Sequence, residues 1–208
     1  MLVKICGITR VEDAHAAVAA GAAAIGFVFW RGSPRFIDPY RARAIAATLP
    51  PFVTLVGVFV DQPVEYLSGV ASLVRLGAVQ LHGSETPAYA SRLGLPVIKA
   101  IAAGAGPAAI EVWDARHTLL LDAVDPVKRG GTGRTVDWDG AASVAAKRPT
   151  ILAGGLTPEN IGRAIGRVRP FGVDVSSGVE KAPGIKDHGR INALFEVIHG
   201  TSHAASRS

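Results

Sequence analysis

The sequence predicts the α/β class and, within it, a compact single-domain (β/α)8 TIM barrel. Three observations carry that expectation. Eight short aliphatic or β-branched runs recur along the chain, at 2–6, 24–29, 53–60, 78–81, 96–101, 118–122, 150–153 and 171–176. Most are apolar on consecutive positions, as strands covered on both faces read. Between them lie alanine-rich amphipathic segments long enough to serve as helical crossovers, which makes the strands parallel. At about 26 residues per strand–helix pair, the chain sits near the short end of the fold's range.

Taken in order, the first run places Lys4 and Cys6 at alternate positions, so they share a face, and it breaks at Gly7. The helix expected over 12–20 ends at Gly21, a residue suited to a left-handed C-terminal cap. Asp38-Pro39 and Thr157-Pro158 each set a capping side chain before a proline at the first helical position, so helices are expected to open at both. Segments 63–76, 86–93, 107–115, 137–146 and 187–198 complete the helical set. Residues 1–200 are therefore expected to form one domain. The small polar stretch 201–208 reads as a disordered tail.

A chain of 208 residues buries roughly 70% of its unfolded surface and needs no covalent staples. The single cysteine, Cys6, rules out an intrachain disulfide and points to a reducing, cytoplasmic setting. The first residues carry only Lys4 before a short apolar run broken by Gly7 and Thr9, which is not a signal-peptide pattern. No uncharged apolar run approaches the roughly 18–20 residues of a membrane span. Lys and Arg number 22 against 17 Asp and Glu, a formal charge of +5 that favours anionic partners. The basic residues are dispersed and aromatics make up only 6% of the chain, so a small phosphorylated molecule fits better than nucleic acid. The expected partner is that small molecule, with no nucleic acid and no membrane, and the protein itself a monomer or homodimer.

In such a barrel the ligand site lies at the carboxyl ends of the strands. Those ends are chemically rich here: Cys6 on the first, Gln80 and His82 on the fourth, Asp122 on the sixth, Ser176 and Ser177 on the eighth. Cys6 reads either as a packed thiol or as a base or nucleophile activated by the neighbouring charge of Lys4. Asp122 closes the run Leu119-Leu120-Leu121, where it is either a loop cap or a partly desolvated general acid. Arg35, in the loop after the second strand, is either a solvated charge or a fork for a substrate carboxylate. His82 reads as a supporting hydrogen-bonding group. Gly154-Gly155 after the seventh strand and Ser176-Ser177-Gly178 after the eighth read as a phosphate cradle, with plain turn chemistry the alternative. The basic glycine-rich loop 124–136, with Lys128, Arg129, Gly130, Gly131, Gly133 and Arg134, either closes over an anion or is an ordinary surface loop. One cysteine and six scattered histidines show no metal-ligand spacing.

Together these stretches resemble the phosphoribosylanthranilate isomerases of tryptophan biosynthesis. The matching segments are Lys4-Ile5-Cys6-Gly7-Ile8-Thr9, Gly26-Phe27-Val28-Phe29, Ser33-Pro34-Arg35, Val56-Gly57-Val58-Phe59-Val60 and Val79-Gln80-Leu81-His82-Gly83. They continue with Leu120-Leu121-Asp122, Gly130-Gly131-Thr132-Gly133, Asp137-Trp138, Ala153-Gly154-Gly155-Leu156 and Asp174-Val175-Ser176-Ser177-Gly178-Val179-Glu180. The resemblance implies an Amadori rearrangement with no metal or organic cofactor, in which Asp122 is the general acid and Cys6 the general base. It further implies that Arg35 holds the anthranilate carboxylate and that the Gly154-Gly155 and Ser176-Ser177-Gly178 loops hold the phosphate. Bifunctional isomerases that also serve histidine biosynthesis share the phosphate loops but typically place an aspartate where this chain has Cys6. A non-catalytic barrel that only binds a phosphorylated ligand has no need of an acid and a base together.

Overall fold

Strands that are apolar on most consecutive positions need cover on both faces, and the chain meets that demand by closing its sheet. The computed structural model describes residues 1–122 and 138–205, the side chains of 202–205 excepted. Among them, eight parallel strands close a barrel in chain order: β1 (Leu2–Cys6), β2 (Ala24–Val28), β3 (Thr54–Phe59), β4 (Ala78–Leu81), β5 (Val97–Ala102), β6 (Thr118–Asp122), β7 (Thr150–Leu152) and β8 (Gly172–Val175). β8 returns to β1 with Leu2 beside Gly172 and Lys4 beside Asp174, so no edge is left unpaired. The crossovers are α1 (Val11–Ala20), α2 (Pro39–Ala46), α3 (Val64–Val74), α4 (Pro87–Ala90), α5 (Pro107–Glu111), α6 (Trp138–Ala145), α7 (Ile161–Val168) and α8 (His188–Ala205). The predicted barrel is the observed one.

Strand alternation sorts the core into two layers. Val3 and Ile5 of β1 join Ile25, Phe27, Leu119 and Leu121 in the large core beneath the helices, where Ala14 and Ala17 let α1 lie close against the sheet. The other face points into the barrel, where Cys6, Val28 and Val58 pack together with Trp30 above them. The Asp38 carboxylate accepts the Tyr40 N–H at 2.9 Å ahead of Pro39, as the capping pattern predicts. Gly21 ends α1 with φ 112°, its N–H bonded to Val18 O.

Other expectations need correction. Thr157-Pro158 does not open α7, which begins only at Ile161. Residues 158–160 form a turn first, in which Thr157 O accepts the Ile161 N–H. The Asn160 side chain braces it: Nδ2 donates to Gly155 O and Oδ1 accepts the Thr157 N–H, both at 2.9 Å. α4 and α5 each run barely one turn rather than eight or nine residues, with glycines at 94 and at 104 and 106 close by. α8 continues to Ala205, five residues into the expected tail. Ile191, Leu194 and Ile198 anchor it on the core, and adding turns to an anchored helix costs little. Tail residues 206–208 and the glycine-rich loop 124–136 lie outside the described residues. A hairpin that the sequence did not announce follows β8: β9 (Glu180–Ala182) and β10 (Ile185–Lys186).

Candidate active site

Because all eight strands run the same way, their carboxyl ends meet on one rim. Cys6 and Asp122 stand on strands separated in the ring by β7 and β8, so they face a shared centre from different sides. Gln80 lies on β4 and His82 directly after it. Gly154 and Gly155 follow β7, and Ser176, Ser177 and Gly178 follow β8, where residues 177–179 form a single 3-10 turn. The sequence-derived candidates are thus brought to one end of the barrel.

On the β1 side, Lys4 and Cys6 share the inward face over Gly26 of β2. A β-carbon on Gly26 would stand 2.9 Å from Cys6 Sγ and 3.1 Å from Lys4 Cε, so only a glycine leaves room for both. Lys4 Nζ donates to Asp174 Oδ1 at 2.8 Å, with the two side chains 4% and 9% exposed. Burial alone pushes the Lys4 ammonium down, but Asp174 and the Cys6 sulfur outweigh it and the net direction is upward. For Cys6, burial pushes the thiol up, Lys4 pulls it down and Asp174 pushes it up again, leaving it above its ordinary value. Lys4 thus lowers the thiol pKa, as its place on the shared face suggests, but burial, with Asp174, outweighs it and decides the sign.

On the β6 side, Asp122 keeps 22% of its side chain exposed, and its Oδ2 lies 3.3 Å from His82 Nε2. Gln80 Nε2 lies 2.9 Å from His82 Nδ1. With the amide as donor, Nδ1 accepts and the ring proton sits on Nε2, directed at Asp122. The row Gln80–His82–Asp122 thus fixes the carboxyl on the open rim. Gln80 Oε1 and Ser176 Oγ are buried without a hydrogen-bond partner among the described residues.

Arg35 is held by a carboxylate of the protein itself. Its Nε lies 2.9 Å from Glu180 Oε1 and its Nη2 2.7 Å from Oε2, a bidentate fork. The guanidinium stem crosses Gly7, where φ is +75° and a β-carbon would come 2.5 Å from Arg35 Cδ. Gly154 and Gly155 take φ of 86° and 62°, left-handed geometry that favours glycine. Gly178 is needed for a different reason: a β-carbon there would drive into the Leu156 carbonyl oxygen, so the loops after β7 and β8 touch backbone to backbone. Gly178→Ala is expected to part the two loops and raise KM for a phosphorylated substrate roughly tenfold, about 1.4 kcal/mol of binding, with kcat little changed. Steady-state kinetics check this, and an unchanged KM would place the phosphate elsewhere.

Among the described residues no group of three or more His, Cys, Asp or Glu is placed to hold a metal ion. Sequence reasoning gave no role to three charged residues that organise the site. Asp174 carried a signal, a carboxylate inside an apolar strand two residues before Ser176. Glu180 and Lys186 carried none, because their partners are brought to them only by the hairpin after β8.

A family model described as N-(5'phosphoribosyl)anthranilate (PRA) isomerase matches residues 3–197. The chain is 51% identical to the N-(5'-phosphoribosyl)anthranilate isomerase of Chromohalobacter salexigens over 96% of this chain and 94% of that one. The crystal structure of phosphoribosyl anthranilate isomerase from Thermotoga maritima superposes with a TM-score of 0.90 at 45% identity, covering 96% of this chain and 99% of the other. A further solved phosphoribosyl anthranilate isomerase, in complex with reduced 1-(o-carboxyphenylamino)-1-deoxyribulose 5-phosphate, gives a TM-score of 0.83 at 43% identity, with coverage of 96% and 99%.

Proposed function

The chain belongs to the N-(5'-phosphoribosyl)anthranilate isomerase family, an enzyme family of tryptophan biosynthesis, and on that premise we propose that Asp122 and Cys6 are its acid and base. N-(5-phosphoribosyl)anthranilate enters with its phosphate at the loops after β7 and β8, where the free Ser176 Oγ is an available donor. Its carboxylate meets Arg35, whose Nη1 is not used by Glu180. Asp122 gives its proton to the furanose ring oxygen, the ring carbon–oxygen bond breaks, and the nitrogen lone pair forms the iminium. Cys6, as thiolate, removes the C2' proton, leaving an enolamine. Return of a proton to C1' and loss of one from the C2' hydroxyl give 1-(2-carboxyphenylamino)-1-deoxyribulose 5-phosphate.

The observation that carries this assignment is the placement of the pair. The carboxyl is held on the open rim by His82 on the β6 side, and the thiol lies on β1, beyond β7 and β8 and beside an ammonium, so one bound sugar is reached from two directions. Loss of anthranilate-type fluorescence on mixing substrate with purified enzyme tests it. Turnover by wild type that vanishes in Cys6→Ala and in Asp122→Asn supports the assignment, and turnover unchanged in either folded variant overturns it.

No helix among the described residues is long and apolar enough to cross a membrane. The buried free thiol suits the reducing cytoplasm, where we place the enzyme. A solved relative from Thermotoga maritima is described as a dimeric phosphoribosylanthranilate isomerase from which monomers were generated. This chain carries Phe52 97% exposed, with Met1, Leu2 and Phe171 also exposed, all beside strand starts and so on the face opposite the site. Two copies associating through that face would cover them. Phe52→Glu is expected to turn a dimer into a monomer in light scattering with kcat within about twofold, the site lying at the other end of the strands. A monomeric wild type would remove the dimer.

A further inference from the structure

Lys186 is the most deeply buried cation of the rim, its side chain 0% exposed. Nothing in the acid–base scheme uses it. An ammonium has three N–H donors, and all three are engaged: with Cys6 O at 2.6 Å, Glu180 Oε1 at 2.7 Å and Ser176 O at 3.2 Å. Those acceptors belong to three different parts of the site. Cys6 O is the backbone of the thiol itself, Ser176 O opens the loop after β8, and Glu180 is the carboxylate that grips Arg35. The stem enters from β10, whose Lys186 N–H donates to Asp13 Oδ2 at 3.0 Å. The hairpin is thereby pinned to α1, and Asp13 also bonds His188.

We propose that Lys186 is a positioning residue of the isomerisation, locking the end of β1, the loop after β8 and the Glu180–Arg35 pair into one array that sets both the field at the Cys6 thiol and the place of the substrate carboxylate. The proposal rests on the reading of Cys6 as base and of Arg35 as carboxylate anchor. Breaking the array removes a buried cation next to the thiol and leaves Glu180 with one cationic partner instead of two, beside the Gly184 N–H. The charges facing the thiol are Lys4 from β1, Asp174 from β8, Lys186 from β10 and Arg35 from the loop after β2, with Glu180 of β9 neutralising the last two. Lys186 lowers the thiol pKa, so its loss raises it, whereas loss of the Glu180 charge unmasks two cations and lowers it.

Cys6 is the chain's only cysteine, so alkylation by iodoacetamide reads this one thiol without interference. In Lys186→Met, alkylation near pH 8 is expected to slow several-fold as the thiol pKa moves upward, while in Glu180→Gln it quickens. Glu180→Gln keeps the shape and a carbonyl acceptor for Lys186 but loosens Arg35, so its KM for phosphoribosylanthranilate is expected to rise more than its kcat falls. Opposite shifts support the array, because a purely structural role would move both variants the same way or neither. Should Lys186→Met fail to fold, Glu180→Gln decides alone: wild-type alkylation together with wild-type KM overturns the proposal. Alkylation is read without turnover, so an active Cys6→Ala would sink the acid–base reading separately.

Discussion

Asp122→Asn is expected to keep the fold and lose about a thousandfold in kcat, near the middle of what a positioned general acid supplies. The amide is nearly isosteric and stays within reach of His82 Nε2, 3.3 Å from Oδ2 in the native chain, but it has no proton to give to the ring oxygen. Cys6→Ala should lose a similar factor while packing nearly unchanged beside Val28 and Val58. The double variant should be little worse than either single one, since an acid and a base in one sequence of steps do not contribute additively. The pH profile follows from the thiol. Its pKa lies above the ordinary 9.0, so the thiolate fraction, and with it kcat/KM, climbs with pH from neutrality. A profile that falls steadily from pH 6 to 8 would show that Cys6 is not the base. Measurements of kcat and KM for the three variants across that range settle the roles, with circular dichroism to show that the fold persists.

The barrel was legible because its physics is local and repeated. Most strand positions are buried and read as consecutive apolar residues, and Asp38-Pro39 and Gly21 punctuate the helices with residues whose function is chemical rather than contextual. Thr157-Pro158 marked the place to within a turn: residues 158–160 form a turn on the Thr157 carbonyl before α7 opens at Ile161. Within the site, Cys6 and Asp122 stood out as polar atoms at the ends of apolar strands. The charge balance around them did not. Lys4 was visible two residues from Cys6, but Asp174, 170 residues away, claims its ammonium only once β8 closes against β1. Glu180 and Lys186 were beyond reach for the same reason, since their meaning depends on a three-dimensional array with Arg35 and the Cys6 carbonyl.

That closure makes Asp174→Ala the substitution with the largest expected cost in stability. Removing the carboxylate leaves the Lys4 ammonium buried and unpaired inside the barrel, a loss of about 3–5 kcal/mol. For a chain of this size it corresponds to a fall of roughly 6–20 °C in Tm. Lys4→Met combined with Asp174→Ala should recover more than half of the loss, because the apolar side chain no longer needs a partner. The pH dependence gives a second check. Lys4 titrates above its ordinary 10.5 in the folded chain, so its contribution is complete below that value and is lost as pH rises through the folded pKa. In Asp174→Ala the upward pull is gone and burial dominates, so Lys4 sheds its proton at lower pH and the variant regains stability relative to wild type as the solution is made alkaline. Urea unfolding at pH 7 and pH 10 should therefore show a gap that narrows at the higher pH. A single variant within about 1 kcal/mol of wild type at pH 7 would mean that the barrel interior solvates Lys4 without Asp174.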